Sequence, residues 1–266
     1  MGEVQGGPAV KIVIPMSGAG QRYKDGGYEE IKPLIPVDGK PMIEHVVDLF
    51  PGEEDILFIC SQQHLDECDL ADRLVAIRPT AQIVGIEPHK KGPVHAVLEA
   101  IEEIDDDTPT VVNYCDFFAN WNFEDFKTRM AVRNPDGCVS SYTGFHPHLL
   151  NPGLYAGMRV NADGEMLEIR EKHCFTEDRM QCHHSSGTYY FGRGEYIKTY
   201  FPRLQQEGPE INGEHYVSSV FQFMLNDGLR VDAYDLKHFL QWGTPEDLQE
   251  YQYWSDYFQM RREVTG

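Results

Sequence analysis

The sequence predicts a three-layer α/β/α fold with a predominantly parallel, mixed central sheet. Two observations carry that expectation. Over the first 120 residues, short apolar runs alternate with segments of helical periodicity, the pattern of a parallel sheet covered on both faces. After that the pattern changes to closely spaced strands followed by helices, which makes the sheet mixed.

The elements follow in order. Lys11–Met16 is a short apolar run and reads as a buried first strand, followed by a Gly-rich loop over Ser17–Glu30. Pro41–Phe50 sets Met42, Val46 and Leu49 on one helical face, with Pro at its first turn. Asp55–Cys60 is a second strand, Gln63–Ile77 helical, Ala81–Ile86 a third strand. Pro93–Ile104 is a helix with Val94, Val97, Leu98 and Ile101 inward, and Pro109–Tyr114 a fourth strand ending at Cys115-Asp116. Phe123–Arg133 is a helix. Gly137–Thr143, Leu154–Val160, Glu165–Arg170 and Gly187–Phe191 are strands, with a tight turn at Asn161-Ala-Asp-Gly164. Helices near Glu195–Gln206 and His215–Asn226, a late strand at Arg230–Leu236 and a closing helix at Pro245–Gln259 complete the chain. With no Pro/Gly/Ser-rich linker, residues 9–262 read as one domain, with a doubly wound first half over about 9–120 and a mixed second half over about 121–262. Residues 1–8, Gly-rich and patternless, read as a mobile terminus.

Composition excludes several functions. The 266 residues carry 23 Lys+Arg against 43 Asp+Glu, a net charge of -20. That argues against a nucleic-acid polymer as partner, since phosphate contacts need clustered cations. A small phosphorylated ligand held by a few local cations stays open. With 41% hydrophobic residues the chain is not disordered. No apolar run approaches the ~18 residues of a membrane span, and the first residues lack a secretory pattern. A cytoplasmic protein with reduced thiols is expected. Of the six cysteines, none forms a C-x-x-C pair. Cys174 and Cys182-His183-His184, with His173 alongside, are zinc-ligand residue types. Their spacing matches no common zinc pattern, so chance proximity is the better sequence reading.

The most informative segment is Ser17-Gly-Ala-Gly-Gln-Arg22, directly after the first strand. Gly18 and Gly20 let the backbone pass close to a phosphate, successive N–H groups from Ser17 through Ala19 can cradle it, and Arg22 adds a bidentate cation. Alone, such a turn is weak evidence. Ten residues further on comes Lys32-Pro-Leu-Ile-Pro-Val-Asp-Gly-Lys-Pro-Met-Ile43. Together, G-x-G-x-R and K-P-L-x-x-V-x-G-K-P-M-I resemble the amino-terminal signature of sugar-phosphate nucleotidyltransferases. The resemblance implies a Rossmann-like nucleotide-binding fold of the glycosyltransferase-A-like kind. It also implies that Arg22 and Lys32 hold a triphosphate.

Other stretches extend the resemblance over nearly the whole chain. Asp116, at a strand end, resembles the family's magnesium-binding aspartate, and Mg²⁺ suits one carboxylate plus substrate phosphates. Read by itself, Asp116 would more simply cap the following helix. Glu171-Lys172 resembles an acceptor-binding pair in which Lys172 contacts the acceptor phosphate. Ser186-Gly187-Thr188 resembles an acceptor-pocket strand, and Trp242-Gly-Thr-Pro-Glu-Asp247 the carboxy-terminal signature. Two positions depart: Gln241 stands where many members carry a second aspartate, and Ile31 where many carry proline. Either Asp116 works with substrate phosphates and waters, or another acid substitutes. The implied reaction is attack of an acceptor phosphate on the α-phosphorus of a nucleoside triphosphate, with release of pyrophosphate.

Base and acceptor are read from fewer residues. Glu87, five residues before Gly92, matches a position often held by Gln in uridylyl- and thymidylyl-transferring relatives. An ionised Glu only accepts hydrogen bonds, which suits the amino group of cytosine, while pairing with Lys90 or Lys91 is the plain alternative. Gly92 would admit a base close to the backbone. Val112–Phe117, Gly144–His148, Ser185–Phe191 and Phe239–Leu248 resemble a capsule-biosynthesis subfamily that includes CTP:phosphoglutamine cytidylyltransferase. His146 and His148 are candidate donors to the acceptor, and Glu214-His-Tyr216 either binds it or begins a helix. The expected partners are therefore a nucleoside triphosphate, CTP favoured, and a phosphorylated small molecule, with a homodimer among the open oligomeric options. A sugar-1-phosphate uridylyl- or thymidylyltransferase and a non-catalytic nucleotide sensor are the alternatives. A glycosyltransferase is disfavoured, because Asp116-Phe-Phe118 is not a D-x-D motif.

Overall fold

The computed structural model describes residues 9–150 and 155–265; the expected mobile terminus at 1–8 and Leu154, the first residue of one expected strand, lie outside them. The strands are β1 (Lys11–Met16), the short β2 (Pro36–Val37) and β3 (Lys40–Pro41), β4 (Ile56–Ser61), β5 (Gln82–Ile86), β6 (Thr110–Asn113), β7 (Phe117–Asn120), β8 (Gly137–Tyr142), β9 (Gly157–Val160), β10 (Met166–Arg170), β11 (His183–Phe191), β12 (Val231–Asp235) and β13 (His238–Gln241). The helices are α1 (Gln21–Asp25), α2 (Met42–Val47), α3 (Gln62–Glu67), α4 (Leu70–Ile77), α5 (Pro93–Glu99), α6 (Phe123–Arg133), α7 (Gly194–Glu207), α8 (Val220–Asn226) and α9 (Pro245–Thr265).

The main sheet runs β10-β9-β11-β6-β1-β4-β5, with β8 beside β11 and β12 beside β8. β1 pairs in parallel with both β4 and β6, and β4 with β5. β11 lies antiparallel to β6, β8 and β9, which makes the sheet mixed as expected. The chain steps from β1 to β4 to β5, then crosses back to place β6 on the other side of β1. The carboxyl ends of β1 and β6 therefore diverge, and their loops leave a crevice, the usual ligand position in an open α/β sheet.

Alternation along the strands divides the core in two. Ile12, Ile14, Phe58 and Cys60 face one side, where Ile43 and Val46 of α2, Leu70 and Leu74 of α4, and Phe126 and Met130 of α6 pack on them. Val13, Leu57 and Ile59 face the other, under Val94 and Val97 of α5, Phe201 and Leu204 of α7, and Phe221 and Met224 of α8. A third, smaller cluster joins Tyr23, Val37 and Met42 to Trp242 and Leu248, so the two ends of the chain share a core.

Several elements differ from the sequence reading. The helical stretch from Gln63 breaks at Cys68, which is extended, so that Leu70 and Leu74 turn onto the sheet. The helix expected from His215 begins only as a 3₁₀ turn at Val217. The reason is that the His215 backbone is held across the sheet end, accepting from Val94 N and donating to Lys91 O at 3.4 and 3.2 Å. β11 starts at His183 rather than Gly187, because its first residues pair with β9. The antiparallel β7–β13 ribbon joins two stretches to which the sequence pattern assigns no element. The Asn161–Gly164 turn forms as expected, with Gly164 at φ 82.

Gly137 lets α8 approach β8: a Cβ there would stand 2.8 Å from the Phe221 ring. Gly137→Ala is expected to cost roughly 1–3 kcal/mol by overpacking. In urea unfolding, the pair Gly137→Ala/Phe221→Leu should be less destabilised than the sum of the single variants. Strict additivity would show that the contact does not limit packing.

Candidate active site

The crevice beyond β1 and β6 is bordered by the two loops that follow those strands. After β1 the chain runs through Ser17–Gly20 into α1, with Gly20 at φ 64 as the N-terminal cap. This loop, with Arg22, Lys32, His89, Lys90 and Gly92, borders a space of about 480 Å³. Ser17 Oγ lies 3.1 Å from His89 Nε2, which ties the loop to the segment after β5. Gly92 has φ 87, and a Cβ there would meet the His215 backbone oxygen at 2.8 Å. The glycine therefore admits the 214–216 backbone, and brings Glu214 and Tyr216 to the crevice edge.

A second cleft of about 700 Å³ opens on the other side of Lys32 and Asp116. Arg22, Lys32, Tyr114, Asp116, Glu214 and Tyr216 border both spaces. Lys32 Nζ donates to Asp116 Oδ2 at 2.7 Å and to the Gly243 carbonyl at 3.3 Å. Both side chains are partly exposed, so the pair is reachable from the cleft. Asp116 does not cap the following helix: Asn122 does, accepting from Asp125 N.

The β7–β13 ribbon delivers the carboxy-terminal signature to this point. Gln241 pairs with Phe117, and Trp242 N donates to Asp116 O at 2.8 Å. The Tyr23 hydroxyl then fastens the turn by donating to Trp242 O and Thr244 O. Within the turn, Thr244 Oγ1 and Gln241 Nε2 donate to Asp247 Oδ2. A Cβ on Gly243 would stand 3.8 Å from Asp116 Oδ2 and 3.9 Å from Asp247 Oδ2, so the two carboxylates face one small space. Tyr155 feels both: burial first, then Asp116 and Asp247, push its phenol up.

The far wall of the larger cleft comes from the β10–β11 connection and a bulge in β11. The register of β11 against β8 shifts between Ser185 and Tyr189. Gly187 at φ 102 sits in that shift, and a Cβ there would press on the Phe117 and Tyr114 rings at 3.0 and 3.2 Å. The bulge turns Ser185, Ser186 and Gly187 toward the cleft. Glu171 lies beside them, its carboxyl pushed up by burial and held by Ser218 and Lys172. Lys172 takes left-handed backbone at φ 51, with its ammonium 5.6 Å from the Tyr216 ring centre.

The structure thus brings together Ser17, Gly18, Ala19, Gly20, Arg22, Lys32, Gly92, Asp116, Glu171, Lys172 and Gly187 along one continuous cleft. Four expected residues are placed otherwise. Glu87 is exposed beyond β5 and borders neither space. Thr188 is 3% exposed and spends its hydroxyl on Asn113 Oδ1. His146 packs against Tyr142 in a tilted arrangement, ring centres 4.6 Å apart, outside the lining. His148 does border the cleft, but its Nε2 is 2.7 Å from the Tyr142 hydroxyl, and burial pushes it down to about 3. It is a neutral wall residue rather than a cation. Asp247, His89, Tyr114 and Tyr155 are cleft residues that sequence reasoning did not single out. Asp247 stood within the Trp242–Asp247 signature, and His89 between Glu87 and Gly92, but neither position alone reveals a partner.

The donor set near Gly243 fits a hard divalent cation. Asp116 and Asp247 supply carboxylate oxygens, and Gln241 Oε1 is buried without a hydrogen-bond partner. Oxygen ligands of this kind, with room for phosphate, suit Mg²⁺. Asp247 lies within hydrogen-bond reach of Gln241, at the position where the sequence departs from the expected aspartate.

Known proteins resemble this chain in sequence and in fold. Residues 12–173 match the family model described as MobA-like NTP transferase domain. Curated relatives include the bifunctional protein GlmU of Alkaliphilus oremlandii (strain OhILAs), 27% identical over 231 residues, covering 86% of this chain and 48% of that protein. The bifunctional protein GlmU of Bacillus cereus (strain AH187) is 24% identical over 239 residues, covering 85% and 47%. The chain spans about half the length of these relatives. Among solved structures, a nucleoside-diphosphate-sugar pyrophosphorylase from Vibrio cholerae RC9 superposes with TM-score 0.73 at 19% identity, covering 91% of this chain and 99% of that one. An inositol-1-phosphate CTP transferase from T. maritima gives 0.67 at 13%, covering 91% and 92%. At those identities the structures attest the fold, a nucleotidyltransferase-type Rossmann-like α/β architecture. With a family model matching more than half of its length, the chain belongs to the MobA-like NTP transferase domain family.

Proposed function

We propose that the protein is a Mg²⁺-dependent nucleotidyltransferase that joins a nucleoside triphosphate, CTP by preference, to a phosphorylated small molecule. The observation that carries this reading is the Lys32–Asp116 pair, standing where the two spaces meet, with Arg22 bordering both and Lys172 on the far wall. A triphosphate on the Ser17–Gly20 loop would present its phosphates to Arg22 and Lys32. An acceptor phosphate at Lys172 would approach from the opposite side.

In the proposed step an acceptor phosphate oxygen attacks the α-phosphorus. The new P–O bond forms as the bond to the bridging oxygen breaks, and its electron pair leaves with pyrophosphate. No proton transfer is needed, because the nucleophile is already ionised. The residues position and neutralise charge. Arg22 and Lys32 hold the triphosphate, and Lys172 orients the acceptor. Glu171 and Glu214 accept hydrogen bonds from donors on the acceptor. Mg²⁺, held by Asp116 with Asp247 and Gln241 Oε1, would supply positive charge to the phosphate oxygens. Gly18 and Gly20 keep the loop free of side chains that would block the phosphates.

The CTP preference rests on the subfamily resemblance of the sequence and not on Glu87, which is exposed beyond β5 and borders neither space. The name of the T. maritima neighbour is in keeping with it. An amino-acid-derived phosphate such as phosphoglutamine, and a place in capsule or surface-polysaccharide synthesis, rest on the subfamily resemblance of the four stretches in the sequence.

Three measurements test the reading. A thermal-shift panel of CTP, UTP, dTTP, ATP and GTP with Mg²⁺ should show the largest stabilisation with CTP. A uridine or thymidine preference moves the acceptor to a sugar-1-phosphate, and no shift with any nucleotide favours a non-catalytic role. In a pyrophosphate-release assay, Asp116→Asn should lower turnover at least ~10²-fold while keeping the melting temperature. Asp247→Asn should raise the Mg²⁺ concentration needed for half-maximal rate, and an unchanged Mg²⁺ dependence would remove Asp247 from the site.

The buried His148 gives a further prediction, on stability. Its folded value of about 3 lies below the ordinary 6.5. The unfolded chain therefore takes up a proton between those values that the folded chain does not. Its contribution to stability is complete above about pH 6.5 and is lost progressively as the pH falls toward 3. His148→Gln should flatten that loss in urea unfolding followed from pH 7 to 4, and an unaltered slope would show that the imidazole is not held neutral.

A further inference from the structure

Outside the cleft, folding gathers metal-ligating side chains that the sequence spacing had not connected. Sγ of Cys174, Sγ of Cys182 and a ring nitrogen of His184 all lie within 4.8 Å of one another. Cys174 stands in the loop after β10, Cys182 just before β11, and His184 in the first turn of pairing between β11 and β9. Cys182 is 1% exposed and His184 0%.

The state of the histidine is the second observation. Its Nε2 is 3.0 Å from the Arg179 carbonyl, to which it donates. That hydrogen bond fixes the tautomer and leaves Nδ1 as the nitrogen with a lone pair. Nδ1 is buried and has no hydrogen-bond partner. A buried acceptor without a donor is costly unless something occupies it. A ring N–H held by a backbone carbonyl, with the other nitrogen unpartnered and two thiols beside the ring, suits a metal-binding histidine.

Two thiolates and an imidazole favour zinc over the hard cations of the cleft. Tetrahedral zinc would place these atoms roughly 3.4–3.8 Å apart, so a modest closure completes the site.

We propose that Cys174, Cys182 and His184 bind one zinc ion, with water as the fourth ligand, and that the metal clasps the loop after β10 to the start of β11. Both ends of the clasped segment carry cleft residues: Lys172 lies two residues before Cys174, and Ser185 directly follows His184. The clasp also bears on Gly157, where a Cβ would stand 2.2 Å from His173 O and 3.2 Å from Cys182 Sγ. Its function is to hold the acceptor wall in one conformation. Binding releases the thiol protons to solvent and needs no redox partner.

Metal content and cobalt substitution test the site independently of any transferase activity. The full chain, purified under reducing conditions and dialysed against zinc, should retain one zinc per chain by elemental analysis. The chelator-stripped protein titrated with Co²⁺ should develop a thiolate-to-metal charge-transfer band and the visible bands of a tetrahedral site. Cys174→Ser, at the less buried ligand, should keep the circular dichroism of the fold and lose both the zinc and the charge-transfer band. Mg²⁺ in excess should leave the bands unchanged, because the cleft site contains no thiolate. The proposal is overturned by the absence of a charge-transfer band, by a band that persists in Cys174→Ser, or by an intact mass showing Cys174 and Cys182 joined as a disulfide in the reduced preparation.

Discussion

Everything in this molecule that bears on chemistry depends on the position of β1 between β4 and β6. Parallel pairing on both sides forces the chain to reverse its direction of travel across the sheet after β5. At that reversal the loops after β1 and β6 turn to opposite faces. The gap between them holds the Ser17–Gly20 loop on one bank and Tyr114–Asp116 on the other. A buried strand with apolar residues on both faces is the physical origin of the site, since only a fully covered central strand tolerates neighbours on either edge.

A second layer of organisation comes from polar contacts between distant parts of the chain. The Tyr23 hydroxyl holds the carbonyls of Trp242 and Thr244, residues more than two hundred positions away. The β7–β13 ribbon sets Gln241 next to Phe117, and Lys32 reaches Asp116 and Gly243. These contacts join the amino-terminal signature, the β6 loop and the carboxy-terminal turn into one charged junction. Although the chain carries a net charge of -20, Arg22, Lys32 and Lys172 are concentrated along the cleft, where phosphate groups would need them. Acidic groups meet them there at short range, Asp116 against Lys32.

The far wall of the larger cleft follows a different rule. It is built from a bulge and a left-handed residue, not from regular strand. Gly187 and Lys172 each take positive φ, and each marks a place where the chain leaves ladder pairing to face the cleft. Such positions are costly for ordinary residues and persist only when the surroundings hold them. The Cys174–Cys182–His184 cluster lies between these two positions in the chain and is the natural place to hold them.

Local pattern was enough for much of the architecture. The continuous apolar runs at Lys11–Met16 and at residues 55–60, and the helical face of Phe123–Arg133, identified strands and helices because burial imposes period and composition on nearby residues. The placement of the glycine turn with Arg22 and Lys32, and of Asp116 at a strand end, beside the crevice was legible for the same reason: it depends on backbone within a few residues. What the sequence left open depends on contacts across the chain. Glu87, His146 and Thr188 had suitable chemistry, yet the tertiary structure turns them away from the cleft or spends their polar atoms elsewhere. Asp247 had an unremarkable place in a signature until Gly243 brought it toward Asp116. The irregular spacing of Cys174, Cys182 and His184 became a cluster only when β9 paired with β11. Sequence by itself determines which segments must be buried and where the backbone can turn. Which side chains meet is decided by the tertiary structure, because meeting depends on sheet order and register between segments far apart in the chain.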